Sequence, residues 1–166
     1  MLTPEERAEL DEMRSHYPTV RAASVSVLKW LQRRRGYLSD ESMRDAADYL
    51  GLPVAELDGL ATFYNLLFRQ PVGERVICLC DSITCWMCGS GRIRRHIENR
   101  LRIRMGQTSA DGRFTLVPAV CLGNCDHAPS MIVGDELYDD LTPEKVDEIL
   151  GLINEADTGA HGGDHD

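Results

Sequence analysis

Apolar side chains recur every three or four positions through the first 68 residues, and this spacing predicts a series of amphipathic helices. Thr3-Pro4-Glu5-Glu6 combines a capping threonine, a proline at the first helical position and a glutamate three residues after the cap, so we expect the first helix to begin there. The four predicted helices end near His16, Gly36, Gly51 and Leu67. We therefore expect residues 1–70 to form a helical bundle.

The pattern changes after the turn signal Gln70-Pro71-Val72-Gly73, where short runs of β-forming residues replace the helical spacing. The predicted elements are a strand at 76–80, a helix at 89–101, a strand at 114–118, a hairpin of 131–133 with 136–138, and a final helix that Thr142 caps. This order is typical of a thioredoxin-like domain, in which helices cover a mixed sheet. We therefore expect an α+β protein, with residues 71–154 as its second domain.

The last segment, 155–166, lacks large apolar residues, so we expect it to be a disordered tail. His161 and His165 lie in this tail and are interpreted as incidental.

The charge and composition of the chain argue against two classes of function, nucleic-acid binding and membrane insertion. The net charge of -9 argues against nucleic acid as the main ligand, because phosphate binding needs an accessible basic surface. No apolar run approaches the length that a bilayer requires, so we expect no membrane insertion.

The first residues resemble neither a secretory signal nor a transit peptide, which favours the cytoplasm. In a reducing compartment, six cysteines indicate metal binding or redox chemistry rather than structural disulfides.

The cysteines form two groups along the chain. Cys78, Cys80, Cys85 and Cys88 lie beside the first predicted strand, and Cys121 and Cys125 lie in the later loop. A 2Fe-2S cluster needs four thiolates, two on each iron, and two loops that each give a pair satisfy this need. Gly123 suits such a loop, because glycine lets backbone approach a bound group closely.

Other chemistries fit the same residues. Four thiolates suit zinc equally well, and Cys85-Trp86-Met87-Cys88 is a CxxC pair that zinc sites also use. The same pair is typical of a standalone dithiol oxidoreductase, in which a helix dipole lowers a thiol pKa. Buried cysteines also serve as packing residues. Spacing alone leaves the iron-sulfur, zinc and dithiol interpretations open.

Several motifs in order resemble one known family, the thioredoxin-like 2Fe-2S ferredoxin that forms the E subunit of bacterial respiratory NADH:quinone oxidoreductase. The resemblance covers about residues 10–152. Its motifs are Arg21-Ala22-Ala23-Ser24, Gly59-Leu60-Ala61-Thr62-Phe63-Tyr64, Phe68-Arg69-Gln70-Pro71-Val72-Gly73, Cys80-Asp81-Ser82, Gly106-Gln107-Thr108, Asp111-Gly112-Arg113-Phe114-Thr115-Leu116 and Cys121-Leu122-Gly123-Asn124-Cys125.

The resemblance implies a ligand set, because the family holds its cluster with a C-x4-C and a C-x3-C pair. These pairs map onto Cys80, Cys85, Cys121 and Cys125. Cys78 and Cys88 fall outside the family pattern and are interpreted as packing residues.

The resemblance also implies how the subunit works. NADH and FMN are expected in a partner flavoprotein, from which one 2Fe-2S cluster in this chain accepts electrons. Further partners would be the other subunits of a peripheral arm on the cytoplasmic face of the inner membrane. No catalytic residue is expected in this chain, and His96 and His127 receive no such role. An equivalent subunit of an NAD-dependent formate dehydrogenase or NAD-reducing hydrogenase is the alternative assembly.

Arginines crowd one stretch of the chain, at Arg92, Arg94, Arg95, Arg100, Arg102 and Arg104. Cations near an iron-sulfur cluster ease its reduction, and a basic surface also binds an acidic partner. We hypothesise that these arginines either raise the reduction potential or bind the flavin subunit.

Overall fold

The computed structural model describes the backbone of residues 1–160 and the side chains of residues 1–153. The chain divides into two compact units, Met1–Val72 and a second unit that begins at Gly73. Residues 161–166, which belong to the predicted disordered tail and include His161 and His165, lie outside the described part of the chain. The α+β class predicted from the sequence is confirmed.

The first unit consists of helices α1 (Pro4–Ser15), α2 (Val20–Arg35), α3 (Asp40–Leu50) and α4 (Val54–Phe63). The predicted capping box is present, since Thr3 and Glu6 exchange side-chain to backbone hydrogen bonds of 2.9 and 3.1 Å. Gly51 ends α3 in the left-handed conformation, which costs glycine least. The apolar faces of all four helices meet in one core, which includes Leu10, Leu28, Leu31, Met43 and Leu57.

Helix α4 ends at Phe63, four residues before the predicted end at Leu67, so the predicted boundary is wrong. The hydroxyl group of Thr62 donates to the carbonyl oxygens of Asp58 and Gly59, both at 3.0 Å, and such bonds compete with regular helix at its last turn. The backbone of Tyr64 is extended, and Leu67 returns to the core as a buried loop residue.

The second unit contains strands β1 (Arg75–Cys80), β2 (Phe114–Ala119), β3 (Met131–Val133) and β4 (Glu136–Tyr138). Within the described residues they form one sheet in the order β2-β1-β3-β4. β1 pairs in parallel with β2 and antiparallel with β3, and β3 forms a hairpin with β4. Proline has no amide hydrogen to donate. Pro118 is tolerated in β2 because this strand lies at the edge of the sheet and has no further strand beyond it to receive such a bond.

Helices α5 (Ile83–Met87), α6 (Ser90–Leu101) and α7 (Pro143–Ala160) complete the second unit. Ile77 and Leu79 of β1 pack with Ile93 and Ile97 of α6 and with Ile149 of α7 in one buried cluster. Side chains alternate across a strand, so this packing leaves Cys78 and Cys80 on the other face of β1.

Two features of this unit differ from the sequence prediction. We expected the segment between Cys80 and Cys85 to be a loop, but Ile83 begins the short helix α5. Helix α7 continues to Ala160, although we expected the tail to start at residue 155. None of the helices in the described part of the chain is long and apolar enough to cross a membrane.

Candidate metal centre

The parallel pairing of β1 and β2 brings the two cysteine-bearing segments together. Cys80 and Ala119, the last residues of their strands, are register partners, and the amide of Asp81 donates to the carbonyl oxygen of Ala119 at 3.1 Å. Parallel strands end at the same edge of a sheet, so both segments leave from one place. Cys85 follows five residues after Cys80, and Cys121 follows two after Ala119.

The first thiol pair, Cys80 and Cys85, is buried, with 1% of each residue exposed. Helix α5 turns Cys85 inward, where its Sγ lies 3.9 Å from the hydroxyl oxygen of Ser130. Burial raises the pKa of the Cys85 thiol, and the neighbouring Cys80 thiol raises it further. This half of the site is closed to solvent.

The second thiol pair, Cys121 and Cys125, is exposed, and its two Sγ atoms lie 3.4 Å apart. Gly123 has a φ of 83°, and its amide donates to Sγ of Cys121 at 3.4 Å. This amide, helped by the Cys125 thiol, lowers the pKa of Cys121. The Cys121 thiol in turn raises the pKa of Cys125, because a nearby anion disfavours a second one.

Contacts between the segments join the two pairs into one group of four thiols. The hydroxyl group of Ser82 lowers the pKa of Cys121 and that of Thr84 lowers the pKa of Cys125, whereas the nearby Cys80 thiol raises the pKa of Cys125. The donor set therefore consists of four thiols on two segments, with hydroxyl groups and an amide beside the sulfurs. Such a set suits a 2Fe-2S cluster, whose sulfurs accept hydrogen bonds from the protein.

Cys78 and Cys88 lie apart from this group. Cys78 is buried in β1, and burial raises the pKa of its thiol to about 11. Cys88 caps α5 and is exposed. In the described part of the chain, neither thiol has a hydrogen bond to the four others. The CxxC pair is thus split between Cys85, which lies with Cys80, and the exposed Cys88.

His127 contacts carboxylates rather than the thiols. Its Nδ1 lies 3.1 Å from Oδ2 of Asp140, and its Nε2 lies 3.6 Å from Oδ2 of Asp126. The hydrogen bond with Asp140 raises the pKa of His127. Ligand atoms of His127, Asp139 and Asp140 lie within 4.8 Å of one another. Sequence reasoning missed this group, because thirteen positions separate His127 from Asp140 and no motif links them.

The predicted arginine cluster divides between paired and unpaired side chains. Nε of Arg100 and Nε2 of His96 lie 3.3 and 3.0 Å from the same carboxylate oxygen of Asp147 on α7. Arg94 and Arg95 are exposed, and neither has an ion-pair partner among the described residues. Their guanidinium groups are therefore available to a partner.

Comparisons with known proteins identify the family of this chain. The family model described as thioredoxin-like 2Fe-2S ferredoxin matches residues 10–154. The chain is 44% identical over 149 residues to the E subunit of NADH-quinone oxidoreductase from Salmonella typhimurium strain LT2, and equally to that from Escherichia coli strain K12. Identity to the corresponding Pseudomonas aeruginosa protein is 41% over 150 residues. Each alignment covers 90% of this chain and 90% of the relative.

A solved structure shares the fold at lower identity. The crystal structure of an NAD+-reducing NiFe hydrogenase in the air-oxidised state superposes with a TM-score of 0.67 at 22% identity. The match covers 82% of this chain and 24% of the hydrogenase chain, so this chain spans about a quarter of that chain's length.

Proposed function

This chain belongs to the thioredoxin-like 2Fe-2S ferredoxin family, and we propose that it is the electron-transfer subunit of an NADH-quinone oxidoreductase. The observation that carries the proposal is the group of four thiols at one sheet edge, in a chain 44% identical over 149 residues to known E subunits of that enzyme. The proposed cluster ligands are Cys80, Cys85, Cys121 and Cys125.

The residues of the site have separate roles in this proposal. When bound, a 2Fe-2S cluster accepts and releases one electron at a time. Cys80 and Cys85 would hold its buried side, and Cys121 and Cys125 would hold the side that faces solvent. The Gly123 amide would stabilise negative charge on sulfur by donating a hydrogen bond. No general acid or base takes part, since only an electron moves.

The partner in this proposal is a flavoprotein subunit that binds NADH and FMN and reduces the cluster. Other subunits of a peripheral arm on the cytoplasmic face of the membrane would complete the assembly. The alternative is the same role in an NAD-dependent formate dehydrogenase or NAD-reducing hydrogenase. The 44% identity to E subunits favours NADH-quinone oxidoreductase, because the 22% identity to the hydrogenase is evidence only of a shared fold.

Anaerobic purification followed by reduction tests the proposal. We expect a red-brown protein with two irons and two sulfides per chain. NADH should bleach its visible absorbance only when the flavoprotein of the same complex is added. Zinc in place of iron, or a colourless active dithiol that depends on Cys85 and Cys88, would contradict the proposal.

A further inference from the structure

A buried hydroxyl group lies beside the buried thiol pair of the site. Ser130 comes directly before β3, and 1% of the residue is exposed, as for Cys80 and Cys85. Its hydroxyl oxygen lies 3.9 Å from Sγ of Cys85, which is its hydrogen-bond partner in the described part of the chain. A hydroxyl group that is buried without a partner costs free energy, so contact with the sulfur is what makes a serine acceptable here.

The backbone holds Ser130 in this position. Its carbonyl oxygen accepts a hydrogen bond from the amide of Cys80 at 3.1 Å. The next residue, Met131, is the register partner of Leu79 in the sheet. Ser130 is thus anchored to the strand that ends at the first thiol. A donor anchored in this way needs little rearrangement when negative charge develops on the sulfur.

Ser130 approaches Cys85 with its amide as well as with its hydroxyl group. Burial and the Cys80 thiol raise the pKa of Cys85, whereas the amide and the hydroxyl group of Ser130 both lower it, because each donates toward the sulfur. A substitution can remove the hydroxyl group but leaves the amide in place. The effect of the hydroxyl group can therefore be measured by itself.

The direction of the hydrogen bond follows from the chemistry of the proposed ligand. In the free chain either the thiol or the hydroxyl group can donate. A thiolate that binds iron carries no hydrogen, so the hydroxyl group of Ser130 must donate to it. Hydrogen bonds to a charged acceptor are about twice as strong as those between neutral groups. The bond between Ser130 and Cys85 therefore gains strength when Cys85 serves as a ligand.

We propose that Ser130 is a positioning residue of the electron-transfer site, whose hydroxyl group donates to Sγ of Cys85 and makes the bound cluster easier to reduce; this inference rests on the proposed function. Reduction adds one negative charge, and a hydrogen bond to a ligand sulfur stabilises that charge. Ser130 and Cys85 are both buried, so water screens their bond less than it screens bonds at the exposed Cys121 and Cys125. Ser130 thus sets part of the reduction potential.

The test measures the midpoint potential of the cluster-loaded protein by titration with dithionite, which supplies the single electron. Ser130→Ala removes the hydroxyl group, and we expect it to lower the equilibrium constant for reduction three- to tenfold, which is about 30–60 mV for one electron. Ser130→Thr keeps a hydroxyl group and should stay near the wild-type potential. Ser24→Ala is the matched control and should leave the potential unchanged, since Ser24 is also 1% exposed but donates to the carbonyl oxygen of Val20 in α2.

A second measurement detects the hydrogen bond itself. After exchange into D2O, pulsed electron paramagnetic resonance of the reduced wild-type protein should show a deuteron coupled to the cluster that is missing from Ser130→Ala. Ser24→Ala should keep this coupling. Iron and sulfide are measured for every variant, so that a change in potential can be told from a loss of cluster.

The outcomes separate this inference from the proposed function. If Ser130→Ala keeps the wild-type potential with normal iron and sulfide, the inference is refuted and the proposed function stands. If Ser130→Ala and Ser130→Thr shift the potential equally, or if Ser130→Ala loses the cluster, Ser130 serves packing and the inference is overturned. If the wild-type protein binds zinc or no metal, the proposed function fails and the inference fails with it.

Discussion

Cys80 and Ala119 lie opposite each other as the last register partners of the parallel strands β1 and β2. This pairing decides which cysteines meet, because the segments that leave the two strands start side by side. Cys85 and Cys121 follow within a few residues, and their partners complete the four-thiol group. Cys88 lies farther along the first segment and remains outside it.

The cysteines should therefore differ in what their loss does. We expect Cys80→Ser and Cys121→Ser to lose the cluster or its stability, since each removes a thiolate from an iron. Cys88→Ser and Cys78→Ala should keep it. Iron and sulfide analysis with electron paramagnetic resonance of the reduced protein measures this. A normal cluster in Cys80→Ser together with a lost one in Cys88→Ser would contradict the proposed ligand set.

Gly73 lies close to the backbone of Gly112 and Arg113, directly before β2. A larger residue at position 73 should therefore clash with this backbone. Its amide donates to the hydroxyl oxygen of Thr115 at 2.6 Å. A Cβ atom at this position would lie 2.8 Å from the carbonyl carbon and 2.9 Å from the carbonyl oxygen of Arg113. We expect Gly73→Ala to lower the free energy of unfolding by about 1–3 kcal/mol, because backbone atoms must move.

Gly91 supplies the matched control for this substitution. It lies inside helix α6, and a Cβ atom there would meet nothing within 4 Å. Gly91→Ala should raise the free energy of unfolding by about 0.5–1 kcal/mol, because alanine favours helix more than glycine does. Chemical denaturation of both variants measures the pair. Equal effects of the two substitutions would refute the steric explanation.

Asp45 and Arg35 form a largely buried ion pair in the helical unit, and this pair predicts a pH dependence. Nη2 of Arg35 lies 2.8 Å from Oδ2 of Asp45, and the amino group of Met1 lies 3.1 Å from Oδ1. Burial alone would raise the pKa of Asp45, but the arginine and the amino group hold it below the usual 3.8. A lowered carboxyl pKa stabilises the folded state above the unfolded-state pKa, and this contribution is lost as the pH falls through the folded-state pKa.

We expect Asp45→Asn to lower the free energy of unfolding by about 1–3 kcal/mol near neutral pH, because Arg35 then lacks a carboxylate partner. The difference from wild type should shrink as the pH falls below the ordinary carboxyl pKa, because the unfolded chain takes up a proton at Asp45 first, and it should be lost once folded Asp45 is also protonated. Denaturation curves at several pH values measure this. Asp48→Asn, an exposed change on the same helix, is the control. A loss for Asp45→Asn that stays constant with pH would rule out the ion pair as its cause.

Arg94 and Arg95 allow the two hypotheses for the arginine cluster to be separated. Exposed charges are screened by salt, so we expect Arg94→Gln, Arg95→Gln to leave the midpoint potential of the cluster unchanged. The same double variant should weaken binding to the flavoprotein, more at low than at high ionic strength. Arg7→Gln, Arg33→Gln removes the same charge from exposed positions of the helical unit and serves as the control. No change in potential or affinity would refute both hypotheses.

Local rules predicted most of the helices in this protein. The capping box at Thr3 and the glycines after α2 and α3 act within a few residues, so the chain itself specifies them. The end of α4 and the helix α5 were missed. Both depend on short polar contacts and on packing that apolar spacing does not record.

The order of residues along the chain was enough to predict an α+β protein, a thiolate-rich site and, through a family resemblance, four candidate ligands. Spacing left Cys78 and Cys88 as possible members, because distance along a chain does not give distance in space. Long-range contacts supply the distances in space, and the proposed ligand set rests on them. The strand register and α5 bring Cys80, Cys85, Cys121 and Cys125 together, bury one pair and expose the other. The same fold leaves Trp86 and Met87 exposed on α5, although Cys85 between Thr84 and Trp86 is buried.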